Sequence, residues 1–268
     1  VWQAADFIPR QHLEALCQPD PVQQLPRRRF MRQALAASVA VVALGLGWGG
    51  WHHLQLNHQG SLQTAFNERR QVELPDGSHL ELNGSTQVQV EFSAGQRHVR
   101  LNAGEVMFSV AHDRNRPFVV DTAQGSVIVT GTRFDVRLDP ARTRVAVEQG
   151  SVRVQSKGDS PALLTAGQGS HIDAQGLVAA PYAVNTGAMT AWRQGKLVFD
   201  NATLAEVVAE TSRYRRQPLR VAPGKVARLR LSGTFSTNDT DALLRALPSI
   251  LPVAIKAHED GSSEIIAK

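Results

Sequence analysis

The chain has 268 residues, of which 20% are charged and 6% aromatic, as expected for a globular protein of one or two domains rather than a disordered or fibrous one. Its formal net charge of +5 owes much to four arginines within residues 27–32. The remaining basic residues form no stripe with interleaved aromatic residues, so nucleic-acid binding is not expected.

An uncharged, apolar run extends from Ala34 to Trp51, directly after the arginines. As a helix rising about 1.5 Å per residue, it would be about 27 Å long, close to the thickness of the hydrocarbon core of a bilayer. We therefore predict one transmembrane helix at residues 34–53; the alternative is a buried core helix. Because the arginines precede the run and the next basic residue is Arg69, residues 1–33 are expected to stay in the cytoplasm and the rest to be exported.

The arginine cluster also resembles a twin-arginine export signal. Paired Arg27 and Arg28 are followed, after one more arginine, by Phe30 and Met31. If this signal is used, the exported part folds before it crosses the membrane. The alternative is that the arginines only set the orientation of the membrane span.

Residues 54–176 show the pattern of an all-β sandwich or roll. Short alternating runs such as "SHLELNGS" and "TRVAVEQGSVRVQS" are separated by turn residues every few positions. The turn pairs are Asp76-Gly77, Asn83-Gly84, Ala94-Gly95, Ala103-Gly104 and Gln149-Gly150.

A linker is predicted at 177–190, and a small α/β domain at 191–268. In this domain strands alternate with two helical patterns, which indicates two βαβ-like units. In the first helix Leu204, Val207 and Val208 share one face, and Asn201 or Thr203 can cap it ahead of Glu206. An exposed edge strand here would be able to pair with a strand of another protein. The whole chain is therefore predicted to be mainly β.

The run "VIVTGTRFDV" (127–136) places Gly131 beside the hydroxyl residue Thr132 among strand formers. Glycine within a strand usually marks a bulge or a close backbone approach. Alternatively, Thr132 Oγ could attack the carbonyl carbon of Gly131 in a strained peptide. The dipeptide alone does not decide, since Gly233-Thr234 is a second such pair.

The sequence shows no constellation for an enzyme that turns over a small substrate. His52, His53 and His58 lie at the exit of the apolar run and lack metal-ligand spacing, so neither a metal nor a cofactor is expected. The acidic residues are scattered among strands, and no glycine-rich phosphate loop is present. The single cysteine, Cys17, excludes an internal disulfide without fixing the compartment.

Seven short motifs, taken in order, resemble the FecR-like anti-sigma factors, which are single-span regulators of bacterial cell-surface signalling. Each motif is weak alone, and their order makes the resemblance specific. They are "LPDGSHLELNGST" (74–86), "VRLNAGEVMFSVA" (99–111), "RPFVV" (116–120), "VTGTRFDV" (129–136), "VAVEQGSVRV" (145–154), "AWRQGKLVFDNATLAEVVAETSRY" (191–214) and "LSGTFS" (231–236).

The resemblance implies a bacterial inner-membrane protein that signals between compartments. Residues 1–33 would be the end of a domain that binds an extracytoplasmic-function sigma factor. The α/β domain is similar to the short domain of secretins and TonB-dependent receptors, and would meet the signalling domain of such a receptor in the periplasm. Receptor occupancy, commonly by an iron-siderophore complex, would then lead to cleavage by periplasmic and intramembrane proteases and to release of the sigma factor.

The resemblance also implies self-cleavage at Gly131-Thr132 by an N-to-O acyl shift. This would be one event per molecule and not enzymatic turnover. His98, His112 and Asp135 are candidates for the general base by residue type only. The alternative function is a membrane-tethered periplasmic module that binds glycan or envelope protein and controls no sigma factor.

Overall fold

The computed structural model describes residues 58–158 and 160–268, which belong to one compact unit. The predicted membrane span at 34–53 and the arginine signal at 27–31 lie outside these residues. Among the residues that are described, no helix is long and apolar enough to cross a membrane.

The first thirteen strands form one continuous sheet that folds over on itself. Their bounds are β1 (His58–Gln63), β2 (Arg70–Glu73), β3 (His79–Leu82), β4 (Gln87–Phe92), β5 (Arg97–Ser109), β6 (Phe118–Asp121), β7 (Ser126–Val129), β8 (Arg133–Asp139), β9 (Arg142–Gln149), β10 (Ser151–Gln155), β11 (Ala162–Thr165), β12 (Gln168–Asp173) and β13 (Tyr182–Ala183).

The fold of this sheet depends on the long strand β5, which both layers share. The first half of β5 pairs with β4 and, in parallel, with β6, within the order β1-β4-β5-β6-β7-β10-β11. Its second half pairs with β3 and β8, within the order β2-β3-β5-β8-β9-β12-β13. Gly104 lies where the partners change, at φ +89°, and a Cβ atom there would be only 2.6 Å from Thr86 Cα. No other residue type fits this close approach.

The inward-facing side chains of the two layers pack into one apolar core. Along β4 burial alternates residue by residue, so that Val88, Val90 and Phe92 face inward. The rings of Phe108 and Phe134 stack across the second layer with centroids 5.1 Å apart. The prediction of a mainly β protein with a sandwich or roll is confirmed in this part of the chain, since alternating burial is what one solvated face produces.

The remaining chain forms the α/β part. Its elements are α1 (Thr186–Met189), a 3-10 helix (Ala191–Gln194), β14 (Lys196–Thr203), α2 (Leu204–Ser212), β15 (Leu219–Val221), a 3-10 helix (Val226–Arg228), β16 (Arg230–Ser236), α3 (Thr240–Ile250), β17 (Val253–Ala257) and β18 (Ser263–Ala267). The segment 177–190, predicted as a linker, contributes β13 and α1.

The capping of α2 agrees with its sequence pattern. Thr203 accepts a hydrogen bond from the backbone N–H of Glu206, whose carboxylate accepts one from the backbone N–H of Thr203, which is a capping box. Leu204, Val207 and Val208 are buried, as the periodicity predicts.

The prediction of two βαβ-like units is wrong. Strands β14 and β16 form an antiparallel pair, whereas β15, β18 and β17 form a separate sheet in that order. Helix α2 therefore connects strands of two different sheets. A βαβ unit requires both of its strands in one sheet, and that pairing depends on distant partners rather than on local sequence.

Candidate functional site: the Gly131-Thr132 peptide and the charged interface

The Gly131-Thr132 peptide lies where the chain crosses from one layer of the sheet to the other. Strand β7 ends at Val129 in the first layer, and β8 begins at Arg133 in the second. Residues 130–132 are therefore outside both strands. The glycine marks a crossing between the two layers and not a bulge within one strand.

Two close approaches enclose this peptide. A Cβ atom on Gly131 would lie 2.5 Å from Nδ1 and 2.8 Å from Cα of His112. On another side, a Cβ atom on Gly150 would lie 3.2 Å from Thr132 Oγ1 and 3.4 Å from the carbonyl oxygen of Gly131. Gly150 also has a φ of +90°, a conformation that L side chains rarely adopt. Both positions therefore require glycine for the chain to pass this closely.

Hydrogen bonds fix the peptide on both sides. Thr132 is only 6% exposed, and its hydroxyl donates to the carbonyl oxygen of Ser151 over 2.9 Å. The Thr132 carbonyl accepts from the backbone N–H of Val110 at 3.0 Å, and the Thr130 carbonyl accepts from that of Asp113 at 2.8 Å. A hydroxyl whose proton is held by a carbonyl oxygen keeps both lone pairs of its oxygen available.

Of the three general-base candidates, the structure brings only His112 against the Gly131-Thr132 peptide. His98 lies in the first half of β5, with Nδ1 3.1 Å from Asp121 Oδ2. Asp135, the third residue of β8, is 2% exposed and belongs to the group of charges around Glu105 and Arg137. The second glycine-threonine pair, Gly233-Thr234, lies within β16, paired in register with β14.

A cluster of charged residues joins the β-sheet part to helix α2, and the sequence alone gave no sign of it. From the sheet come Glu105, Asp135, Arg137, Asp139 and Arg144, and from the end of α2 come Glu210 and Arg213. They line a cavity of about 980 Å³. Arg213 Nη1 lies 2.7 Å from Glu105 Oε2, and Arg137 donates to Glu210. These pairs are 108 and 73 residues apart in sequence, so local patterns could not show them.

Two carboxylates of this cluster have pKa values that are shifted in opposite directions from their ordinary values. Burial alone would raise the pKa of Glu210, but the guanidinium groups of Arg137 and Arg213 outweigh burial and lower it. Burial, together with the neighbouring Glu105, raises the pKa of Asp135 well above its ordinary value. Asp135 Oδ2 is buried and has no hydrogen-bond partner among the described residues. Asp135 is therefore the carboxylate of the cluster whose cost of burial the neighbouring arginines do not offset.

We expect Asp135→Asn to stabilise the protein at neutral pH. The raised pKa means that the folded state holds a proton on Asp135 that the unfolded state releases above about pH 4. Stability is therefore lost as the pH rises from about 4 towards the folded pKa, and an amide has no such loss. The gain should therefore grow as the pH rises from about 4 to neutral.

Urea unfolding of both chains between pH 3.5 and pH 8 measures this effect. The gain should shrink to nothing at the acidic end, where both states are protonated. An equal gain at every pH would contradict the role assigned to Asp135.

Comparison with known proteins agrees with this architecture. Residues 60–153 match the family described as FecR protein. Two crystal structures of a candidate anti-sigma factor from Parabacteroides distasonis, at 2.50 and 1.65 Å resolution, resemble the chain with a TM-score of 0.67. They are 24% and 25% identical, and the matches cover 79% and 78% of this chain and 100% and 99% of those chains. No curated protein sequence matches the chain.

The match to the FecR family at residues 60–153 falls within the region predicted to be all β. The chain is FecR-like, and its resemblance to FecR-like anti-sigma factors, indicated by the seven ordered motifs, is confirmed. Gly131 and Thr132 both lie within the matched range.

Proposed function

We propose that the chain is a transmembrane sigma regulator of the bacterial inner membrane. The observation that carries this proposal is the FecR match over 60–153, together with likeness over 79% of the chain to a candidate anti-sigma factor. Residues 1–33 would lie in the cytoplasm and belong to the part that holds an extracytoplasmic-function sigma factor. The apolar run at 34–51 and the arginines before it support this orientation.

On the periplasmic side, the partner would be the signalling domain of a TonB-dependent receptor, in control of iron-siderophore uptake. The α/β part supports such docking, because β14 and β16 pair only with each other within the described chain. Each therefore keeps one free edge for strand addition. Periplasmic and intramembrane proteases would then cut the chain and release the sigma factor.

Self-cleavage at Gly131-Thr132 would prepare the chain for this signalling. Thr132 Oγ adds to the carbonyl carbon of Gly131, the carbon–nitrogen bond of the peptide breaks, and the hydroxyl proton ends on the Thr132 nitrogen. Water then opens the ester, leaving a Gly131 carboxylate and the restored Thr132 hydroxyl. The enclosed peptide at the crossing between layers supports this assignment, because neighbouring strands hold it in one geometry.

Transcript levels in the bacterium that carries the chain test the regulatory proposal. Deleting the gene should change transcripts from promoters of one extracytoplasmic-function sigma factor, and the intact chain should restore them. A chain without residues 1–33, exported through an unrelated membrane anchor, should not restore them. Unchanged sigma-dependent transcripts, with an envelope defect that the truncated chain repairs, would instead favour a membrane-tethered periplasmic binding module.

A further inference from the structure

The buried Arg97 forms hydrogen bonds with the backbone of the loop that carries His112. Arg97 is completely buried, and its guanidinium lies 2.8 Å from Asp76 Oδ2. The same guanidinium donates to the carbonyl oxygens of Ala111 and Arg116, each at 2.9 Å. A planar group with five donors suits such a task, since it can hold several oxygens of a loop in fixed directions.

The same loop also forms backbone hydrogen bonds with the residues on either side of Gly131. The backbone N–H groups of Val110 and Asp113 donate to the carbonyl oxygens of Thr132 and Thr130, at 3.0 and 2.8 Å. His112 lies between these two hydrogen bonds. Its Nδ1 is the nearest atom to the position that a Cβ atom on Gly131 would occupy.

We infer that His112 is the proton-transfer group for cleavage at Gly131-Thr132, and that Arg97 positions it; this inference rests on the self-cleavage proposed above. The Thr132 hydroxyl first turns its proton from the Ser151 carbonyl oxygen towards the imidazole, which accepts it as the oxygen adds to the Gly131 carbonyl carbon. It then returns that proton to the Thr132 nitrogen as the carbon–nitrogen bond breaks. The imidazole is unchanged at the end of the step, and the ester remains for water to open.

Most charged side chains around the loop form ion pairs. On the loop itself, Arg116 Nε lies 2.9 Å from Asp113 Oδ2, whereas Arg114 is exposed to solvent. Arg97, which is hydrogen-bonded to the loop backbone, pairs with Asp76.

Beyond Thr132, Arg133 Nε lies 3.0 Å from Glu148 Oε2. A reaction that uses an imidazole as its base needs the neutral ring, so general-base cleavage is expected to be faster at pH 8 than at pH 5.5.

The test uses the full chain made by cell-free synthesis into lipid nanodiscs, with the cleaved fraction followed by gel from pH 5.5 to 8. His112 is exposed, so His112→Asn should leave the fold intact. We expect it to slow cleavage about 100-fold or more, the usual contribution of a positioned acid–base group, and to flatten the pH dependence. His98→Asn is the matched control and should cleave at the wild-type rate and with the wild-type pH profile.

Arg97→Lys tests the positioning role. It should slow cleavage in the wild-type background but add nothing to His112→Asn, although its effect on the thermal midpoint should be the same in both. If Arg97→Lys slows the His112→Asn chain by the same factor as the wild type, Arg97 does not act through His112.

Equal cleavage rates and pH profiles for His112→Asn and the wild type would overturn the role of His112 while leaving self-cleavage in place. A wild-type chain that stays uncut at every pH would overturn self-cleavage, and the roles of His112 and Arg97 with it.

Discussion

A full-length chain carrying Thr132→Ala is expected to remain one polypeptide under conditions in which the wild-type chain separates into residues 1–131 and 132–268. The variant lacks the hydroxyl that would attack Gly131, and alanine offers no other nucleophile. The fold should persist. The substitution removes one hydrogen bond, from Thr132 Oγ1 to the carbonyl oxygen of Ser151, worth about 1 kcal/mol. Intact-mass analysis of the detergent-solubilised chain distinguishes one species from two.

The matched control is Thr234→Ala, at the second glycine-threonine pair. Gly233 and Thr234 lie in regular β16 pairing, so this variant should separate into the same two fragments as the wild type. Two fragments from Thr132→Ala would show that another residue is the nucleophile and would refute the assignment of Thr132.

Glu210→Gln should strongly destabilise the charged interface. It removes one of the two carboxylate partners of Arg137, which is only 8% exposed and keeps only its pair with Asp139. The positive charge of the cluster is then balanced by one carboxylate fewer. Breaking a fully buried ion pair costs about 3–5 kcal/mol. Because about a quarter of the Glu210 side chain remains exposed, we expect a loss of about 2–3 kcal/mol. The thermal midpoint should fall by roughly 5–10 °C.

The pH dependence of this loss has a definite sign. The pKa of Glu210 is lowered in the folded state, so its contribution is present above the unfolded pKa and disappears as the pH falls through the folded pKa. The difference between wild type and variant should therefore be largest at neutral pH and vanish in acid. Glu206→Gln is the control on the same helix, because glutamine also completes a capping box. Equal losses in the two variants would contradict the interface account.

Local sequence predicted the local structure of this protein well. Alternating runs predicted the strands, and the structure shows that alternation along β4, where Val88, Val90 and Phe92 lie inside. The start of α2 was predicted with Asn201 or Thr203 as its cap, and the structure shows Thr203, whose hydrogen bonds with Glu206 depend only on residues three apart.

What local sequence could not predict depends on distant partners. The run "VIVTGTRFDV" reads as one strand, yet β7 pairs with β6 and β10 while β8 pairs with β5 and β9, so the chain must break between them. The same reason explains why the βαβ prediction was wrong. His112 could not be separated from His98 and Asp135 until the fold had placed it beside Gly131. Gly131-Thr132 itself was singled out by family resemblance, since its spacing alone is more typical of a bulge.

The most direct test of the proposed processing is the N-terminal sequence of the C-terminal fragment, isolated from membranes of cells that produce the full chain. A fragment that begins at Thr132 with a free amine is the result this account predicts. A fragment that begins elsewhere, for example within the partly exposed loop at residues 112–116, would indicate an external protease and contradict self-cleavage at Gly131-Thr132.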